Sequence, residues 1–212
     1  MKQPIESHKR LVSVIIPVMD TIKYLKEAIH SVKSSTYTNI EIVIIDNITN
    51  KFNSKQIRSY AKDKDITIRY LKNNEPHKAL ECINKGINLA IGDYITILLP
   101  TDMFDKTYIE KGAELLAGRY GSVIHPFIWN IGYVDKTKGA NITYSFHQHK
   151  GLIKSRNYLA YCSMFKKDDW ERVGRFPEHN VGDHEFWMKL EDIGLIFWLL
   201  PEPLLQRRIA RR

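Results

Sequence analysis

Ile40-Glu41-Ile42-Val43-Ile44-Ile45-Asp46 is an aliphatic, mostly β-branched run that ends on an acid, and the chain repeats the arrangement on either side of it. Val12-Ser13-Val14-Ile15-Ile16-Pro17 precedes Asp20, and Tyr94 to Leu99 precedes Asp102. Runs of this kind, without polar alternation, suit strands covered on both faces, as in a parallel sheet between layers of helix. Ligands of such sheets bind beyond the carboxyl ends of the strands. The three acids therefore predict one polar rim, able to hold a nucleotide and with it a metal ion.

Working outward from these runs, Ile22, Leu25, Ala28, Ile29 and Val32 recur at helical spacing, which predicts a helix over 21–34 and a βαβ unit. A polar loop after the second run leads to a helix over 54–62 and a short strand over 66–71. The helix over 79–90 turns Leu80, Ile83, Ile87 and Leu89 inward and stops at Gly92. Beyond the third run the pattern predicts a helix over 108–116, a β segment over 122–134, a polar excursion over 139–150 and a strand at 164–166. A short helix over 168–173 follows, then one over 183–192 with Phe186, Trp187 and Leu190 on one face. Without repeats or low-complexity linkers, residues 1–212 read as one α/β domain. Residues 11–110 form its nucleotide-binding half, 111–205 complete the substrate site, and 206–212 form a basic tail.

A chain of 212 residues that is 43% hydrophobic can bury one good core. Its net charge of +8 favours a polyanionic partner, such as a nucleoside diphosphate, a nucleic acid or an anionic membrane face, or serves solubility alone. Nucleic acid is set aside, because the lysines are scattered rather than gathered in a stripe with aromatics between them. Cys82 and Cys162 have no ligand-spaced partners and read as buried thiols. Neither a secretory signal nor an apolar run of bilayer length is present, so the chain reads as cytoplasmic. Gln206 to Arg212 is the densest basic patch, either a peripheral contact with the inner membrane face or a solvated tail.

Four segments, taken in order and spacing, resemble the family 2 glycosyltransferases, nucleotide-sugar enzymes of GT-A fold. They are Val12 to Val18 with Tyr24-Leu25 and Ala28 to Val32; Asn39 to Asp46; Asn84-Lys85-Gly86-Ile87 with Ala90 to Ile95; and Met164 to Lys167 through Val173 to Phe176. The resemblance implies a mostly parallel central sheet flanked by helices. It also implies a donor site in which Pro17, Val18 and Asp20 face base and ribose, with Asp46 and Asn47 after the second strand. The family's Asp-Asp pair reads Asp46-Asn47 here, and Asn still offers a donor and an acceptor to a base edge. The other reading of Asp46 is a turn aspartate at a strand end.

The family's Asp-x-Asp, which holds a divalent ion (Mn2+ or Mg2+) on the diphosphate, aligns with Leu98-Leu99-Pro100-Thr101-Asp102. The family's usual metal position is Thr101 here, so Asp102 serves as a ligand only through a one-residue slip of the loop, with Asp105 nearby; otherwise the site is metal-independent or is not that of a working transferase. Lys78, where the family commonly has glycine, can stand in as a fixed monocation, or is a solvated lysine at a helix start. Gly182-Asp183-His184-Glu185-Phe186-Trp187 resembles the family's segment whose aspartate is the general base of an inverting displacement. That assigns the base to Asp183, whose other reading is an ordinary helix cap. Glu185 and Trp187 are assigned to acceptor contact or support. Phe127, Trp129, Tyr133, Tyr144, Phe146 and Trp187 are candidates for a sugar platform or for core.

The expectation is an inverting hexosyl- or N-acetylhexosaminyl-transferase. It would take a nucleotide-diphosphate sugar, a UDP-sugar, and act on a glycan or lipid-linked acceptor in cell-surface polysaccharide synthesis. The alternative is a catalytically impaired, nucleotide-binding assembly subunit.

Overall fold

The computed structural model describes residues 10–19, 21–48, 50–118, 122–134, 137–145, 150–178 and 182–209. Strands β1 (Val12–Val18), β2 (Ile40–Asp46), β3 (Thr67–Lys72) and β4 (Tyr94–Ile97) pair in parallel in the order β3-β2-β1-β4. Every residue of β1, β2 and β4 is buried, as unbroken aliphatic runs require when helices cover both faces. Those connections carry α1 (Leu25–Lys33), α2 (Lys51–Tyr60) and α3 (Ala79–Leu89). Each helix starts within a few residues of the predicted bounds.

A second sheet is built from β5 (Met103–Phe104), β6 (Ser122–Val134), β7 (Thr137–Thr143) and β9 (Ile196–Ile209), in the order β5-β9-β6-β7. Around it lie α4 (Tyr108–Gly118), α5 (Leu152–Ser155), α6 (Lys167–Arg172) and α7 (His184–Asp192). The two-residue β8 (Phe165–Lys166) closes the first sheet antiparallel to β4. One apolar cluster runs from Val14, Ile16 and Ile42 to Ile124, Ile128, Leu204 and Leu205, so residues of both sheets share a core. Cys82 and Cys162 are free and buried, as read.

Two expectations change. The polar excursion over 139–150 is a hairpin arm as far as Thr143, because the backbone of β7 pairs with β6 from Val134↔Thr137 to Ile128↔Thr143. The basic segment from 206 is no solvated tail as far as Ile209. It continues β9, parallel to β6 through Gly132↔Ile209 and antiparallel to β5 through Met103↔Gln206.

Candidate functional site

The strand register carries the polar residues to one edge. Val18 lies opposite Asp46, and Asp46 opposite Lys72, at the carboxyl ends of three adjacent strands. Pro17 and Val18 are buried there, and the Val18 carbonyl accepts the Asn47 N–H at 3.0 Å. Asp20 lies outside the described residues. The Asp46 carboxylate is fully buried. It accepts the Ile48 N–H at 3.0 Å, a turn bond, and the Tyr70 hydroxyl at 2.8 Å, with the Lys72 ammonium 3.5 Å away. Burial first, and the bond to Asp46 second, push the Tyr70 hydroxyl above its ordinary range.

Asn47 turns its amide onto the loop before α3. Its Nδ2 donates to the His77 carbonyl at 3.0 Å, while its Oδ1 accepts the His77 N–H at 2.9 Å and the Asn73 amide at 2.8 Å. The loop that carries Lys78 is thus pinned to the end of β2. Lys78 itself is exposed at the N-cap position of α3.

The Asn84-Lys85-Gly86 triplet of the sequence resemblance acquires physical content here. Asn84, buried, donates to the Phe176 carbonyl at 2.9 Å and accepts from the Trp170 indole and the Phe176 N–H, both at 3.2 Å. It ties α3 to the segment after α6. Lys85 donates to Asn73 Oδ1 at 3.2 Å and sits 2.6 Å from His77 Nε2. An ammonium can only donate, so Nε2 is the acceptor and Nδ1–H faces Glu81, 2.9 Å away. That bond holds the Glu81 carboxyl below its usual range. Gly86 lets α3 sit close on β1: a Cβ there would lie 2.5 Å from Ile15 Cγ2.

After β4 the chain still pairs once with β1, Leu98 N–H to the Ile15 carbonyl at 2.9 Å, and then turns through Pro100 to Asp102. Asp102 is 2% exposed. Its Oδ1 accepts the Thr101 hydroxyl at 3.1 Å, and Arg207 Nε lies 3.8 Å from its Oδ2. Desolvation raises its pKa, opposed by Arg207 and Thr101. Asp105 is spent on the Thr107 N–H and hydroxyl, at 2.9 and 2.7 Å. A divalent ion of the Mg2+ or Mn2+ kind takes about six oxygens in all. Here one sealed carboxylate faces a guanidinium, and among the described residues no group of three or more metal-ligating side chains forms. The described residues do not fit the ion.

Asp183 sits at the start of α7. Gly182, at φ 75°, provides the left-handed turn that delivers it. Although it occupies the cap position, its side chain makes no cap bond. Its Oδ2 instead accepts the Trp187 indole N–H and its Oδ1 the Asn157 amide, each at 3.0 Å. It is 9% exposed, and burial raises its pKa against those two donors. The result is a carboxylate oriented by two neutral groups, with no cation in hydrogen-bond contact among the described residues, and burial makes it readier to take up a proton.

Trp187 is fully buried among Phe165, Phe176 and Phe186, so its ring has no face for a sugar and its part is support. Glu185 points along the helix to Lys189, 2.7 Å away. Asn157 was not singled out from sequence, since it lies on an irregular segment and carries no local pattern. That segment is anchored at its far end, where the Cys162 carbonyl accepts the Thr96 hydroxyl at 2.7 Å and also the Tyr108 hydroxyl.

Of the aromatic candidates, Trp129 and Tyr144 are exposed and Phe127 meets Tyr144 edge-on at 5.1 Å. The Tyr133 side chain and Phe146 lie outside the described residues. A groove of about 660 Å³ along β3 and α3 is lined by Lys72, Asn73, His77 and Lys85; it adjoins the pinned loop and includes neither Asp102 nor Asp183.

The family described as Glycosyl transferase family 2 matches residues 13–174. The glycosyltransferase GlyG of Streptococcus pneumoniae is 33% identical over 118 residues, 52% of this chain and 39% of GlyG. The uncharacterized glycosyltransferase MJ1057 of Methanocaldococcus jannaschii is 28% identical over 98% of this chain and 73% of its own length. TuaG of Bacillus subtilis, named for teichuronic acid biosynthesis, is 30% identical over 52% of this chain and 44% of TuaG. The chain thus spans about two fifths of GlyG and of TuaG.

Among solved structures, S. aureus TarS 1-349 in complex with UDP-GlcNAc superposes with a TM-score of 0.78 at 15% identity, covering 95% of this chain and 59% of that one. The mannosyltransferase PcManGT of Pyrobaculum calidifontis, in complex with GDP-Man and Mn2+, gives 0.75 at 15% identity over 97% and 59%. At that identity the likeness is one of fold, the GT-A arrangement.

Proposed function

Because the chain belongs to the family 2 glycosyltransferases, we propose that it transfers a hexosyl or N-acetylhexosaminyl group, with inversion, from a UDP-sugar to a hydroxyl of a glycan or lipid-linked acceptor in cell-surface polysaccharide synthesis. The observation that carries this reading is the Asp183 carboxylate, held by Trp187 and Asn157 and free of capping duty. In one displacement it takes the acceptor hydroxyl proton as the oxygen attacks the anomeric carbon. The bond from that carbon to the diphosphate oxygen breaks on the opposite face, and the diphosphate leaves with the electron pair. Burial raises the proton affinity of Asp183 and so makes it a stronger base than an exposed aspartate.

The donor is assigned to Pro17, Val18, Asp20, Asp46 and Asn47, where Asn47 acts by shaping the loop that presents Lys78. The TarS complex with UDP-GlcNAc supports a uridine donor, and TuaG's name supports a polysaccharide setting. No helix among the described residues is long and apolar enough to cross a membrane. The proposed location is cytoplasmic, at the inner membrane face through the basic C-terminal segment.

The sealed Asp102 favours a second reading, a nucleotide-binding assembly subunit without turnover. Sugar release from a panel of UDP-sugars, with acceptor present, separates the two. Asp183→Asn is expected to lower turnover by roughly 10²- to 10⁴-fold while UDP binding persists. Undiminished turnover in Asp183→Asn refutes the assignment of the base. Nucleotide binding without sugar release from any donor, at any metal concentration, establishes the assembly subunit instead.

A further inference from the structure

We propose that Arg207 carries the charge of the departing diphosphate in place of a divalent ion, so that the donor site of this chain works without metal. The proposal rests on the donor-site reading above and extends it. Its ground is the mismatch between the fold, which in PcManGT was solved with Mn2+, and the side chains of the loop after β4 here.

The loop after β4 offers one carboxylate, with one oxygen hydrogen-bonded and the other facing a guanidinium. Thr101 Oγ1 donates to Asp102 Oδ1 at 3.1 Å, and Arg207 Nε stands 3.8 Å from Oδ2. An incoming cation would displace those donors and meet a guanidinium of like charge. The nearest acid in sequence, Asp105, is committed to Thr107. The loop is thus organised around a cation already present, supplied by the chain itself.

Two arginines reach this loop from β9, and the structure divides their work. Arg208 is locked: its guanidinium donates to the Thr101 carbonyl at 3.1 Å and to Glu27, and lies over the Tyr24 ring at 4.5 Å. It clasps the end of β9 to the segments that follow β1 and β4. Arg207 is 35% exposed, and among the described residues its terminal nitrogens make no hydrogen bond. A guanidinium that turns its Nε toward a carboxylate leaves its outer N–H groups for a ligand, and that planar fork matches two phosphate oxygens. The antiparallel pairing of β5 with β9 makes this placement, since Met103↔Gln206 puts the next residues out, Asp102 and Arg207, side by side.

The test is calorimetric titration of the full chain with UDP, and in parallel GDP, in excess chelator and again with Mn2+. The wild type is expected to bind UDP about equally in both conditions. In chelator, Arg207→Ala is expected to bind roughly tenfold or more weakly, the loss typical of a charge-assisted hydrogen bond. Arg207→Lys keeps the charge without the fork and is expected to fall between the two, which also serves if the alanine variant unfolds. Thermal unfolding of each variant reports its folded state. Wild-type binding that needs Mn2+, or variants that bind UDP in chelator as tightly as the wild type, overturns the proposal while the donor site stands. Absence of UDP and GDP binding in every condition overturns the donor-site reading itself and the proposal with it.

Discussion

Replacing Trp187 with Phe removes one of the two donors that hold Asp183 and leaves most of the ring packing in place. The lost bond, Trp187 Nε1 to Asp183 Oδ2 at 3.0 Å, lies on a carboxylate only 9% exposed, so water does not replace it freely. A hydrogen bond to a charged group is worth about 1.5–3 kcal/mol. At about 1.4 kcal/mol per pKa unit, the Asp183 carboxyl should rise by roughly one to two units beyond the elevation that burial already gives it. If Asp183 is the base, the acidic limb of kcat/KM moves toward higher pH by that amount. The rate deficit is then large in weak acid and shrinks in alkali.

Stability carries the same signature. The folded carboxyl binds its proton more tightly than the unfolded one. Its favourable contribution is therefore complete below the unfolded value and disappears as pH rises through the folded value. Trp187→Phe widens that window upward, so the variant loses more stability at neutral pH than in acid, on top of a pH-independent cavity cost of about 1–3 kcal/mol. A carbon-13 NMR titration of the Asp183 carboxyl, with pH–rate profiles, measures the shift. Asn157→Leu should move the titration in the same direction, because it removes the matching bond to Oδ1. An unchanged Asp183 titration in both variants would falsify the claim that these neutral donors hold the carboxylate.

Two further outcomes follow from the network around the rim. Asn47→Asp restores the family's acidic pair, yet it should destabilise the chain by about 1–3 kcal/mol, because an oxygen would replace the Nδ2 that donates to the His77 carbonyl; urea denaturation measures it, and an unaltered or raised midpoint contradicts the bond. Asn84→Ala strands the Trp170 indole and both backbone groups of Phe176, for about 2–4 kcal/mol and a lowered Tm; a change in Tm within measurement error would show that those groups find other partners.

The first sheet was legible because its burial is periodic in the simplest way. Covered strands need aliphatic side chains on both faces, and β1, β2 and β4 have them, with Glu41 as the instructive exception. Glu41 is 1% exposed and is satisfied by Ser13 Oγ at 2.6 Å, the Ile91 N–H at 2.7 Å and Arg69 Nε at 2.7 Å, at the end of the sheet away from the rim. Of the second sheet only β6 was legible, as the β segment over 122–134. Thr137 to Thr143 holds Lys, Gly, Ala and Asn, weak strand formers on their own, and becomes a strand because β6 supplies the backbone partners. In β9, Pro201 and Pro203 argue against a strand that lies between two others. They are tolerated because the ladder with β6 is irregular at that point, with register shifts on both sides of Phe127.

By itself the sequence determined a parallel sheet and the edge at which polar residues gather, and its motifs singled out Asp183. Each is written in local spacing, where a burial period or a short motif repeats what the backbone will do. Tertiary structure alone decided the partners of those acids. Asn157 reaches Asp183 from an irregular segment, His77 takes up the Asn47 amide, and Arg207 arrives at Asp102 from the end of the chain on a strand interrupted by proline. A polar side chain finds its partner through the spacing of strand ends and loops in three dimensions, and no periodicity along the chain encodes that distance.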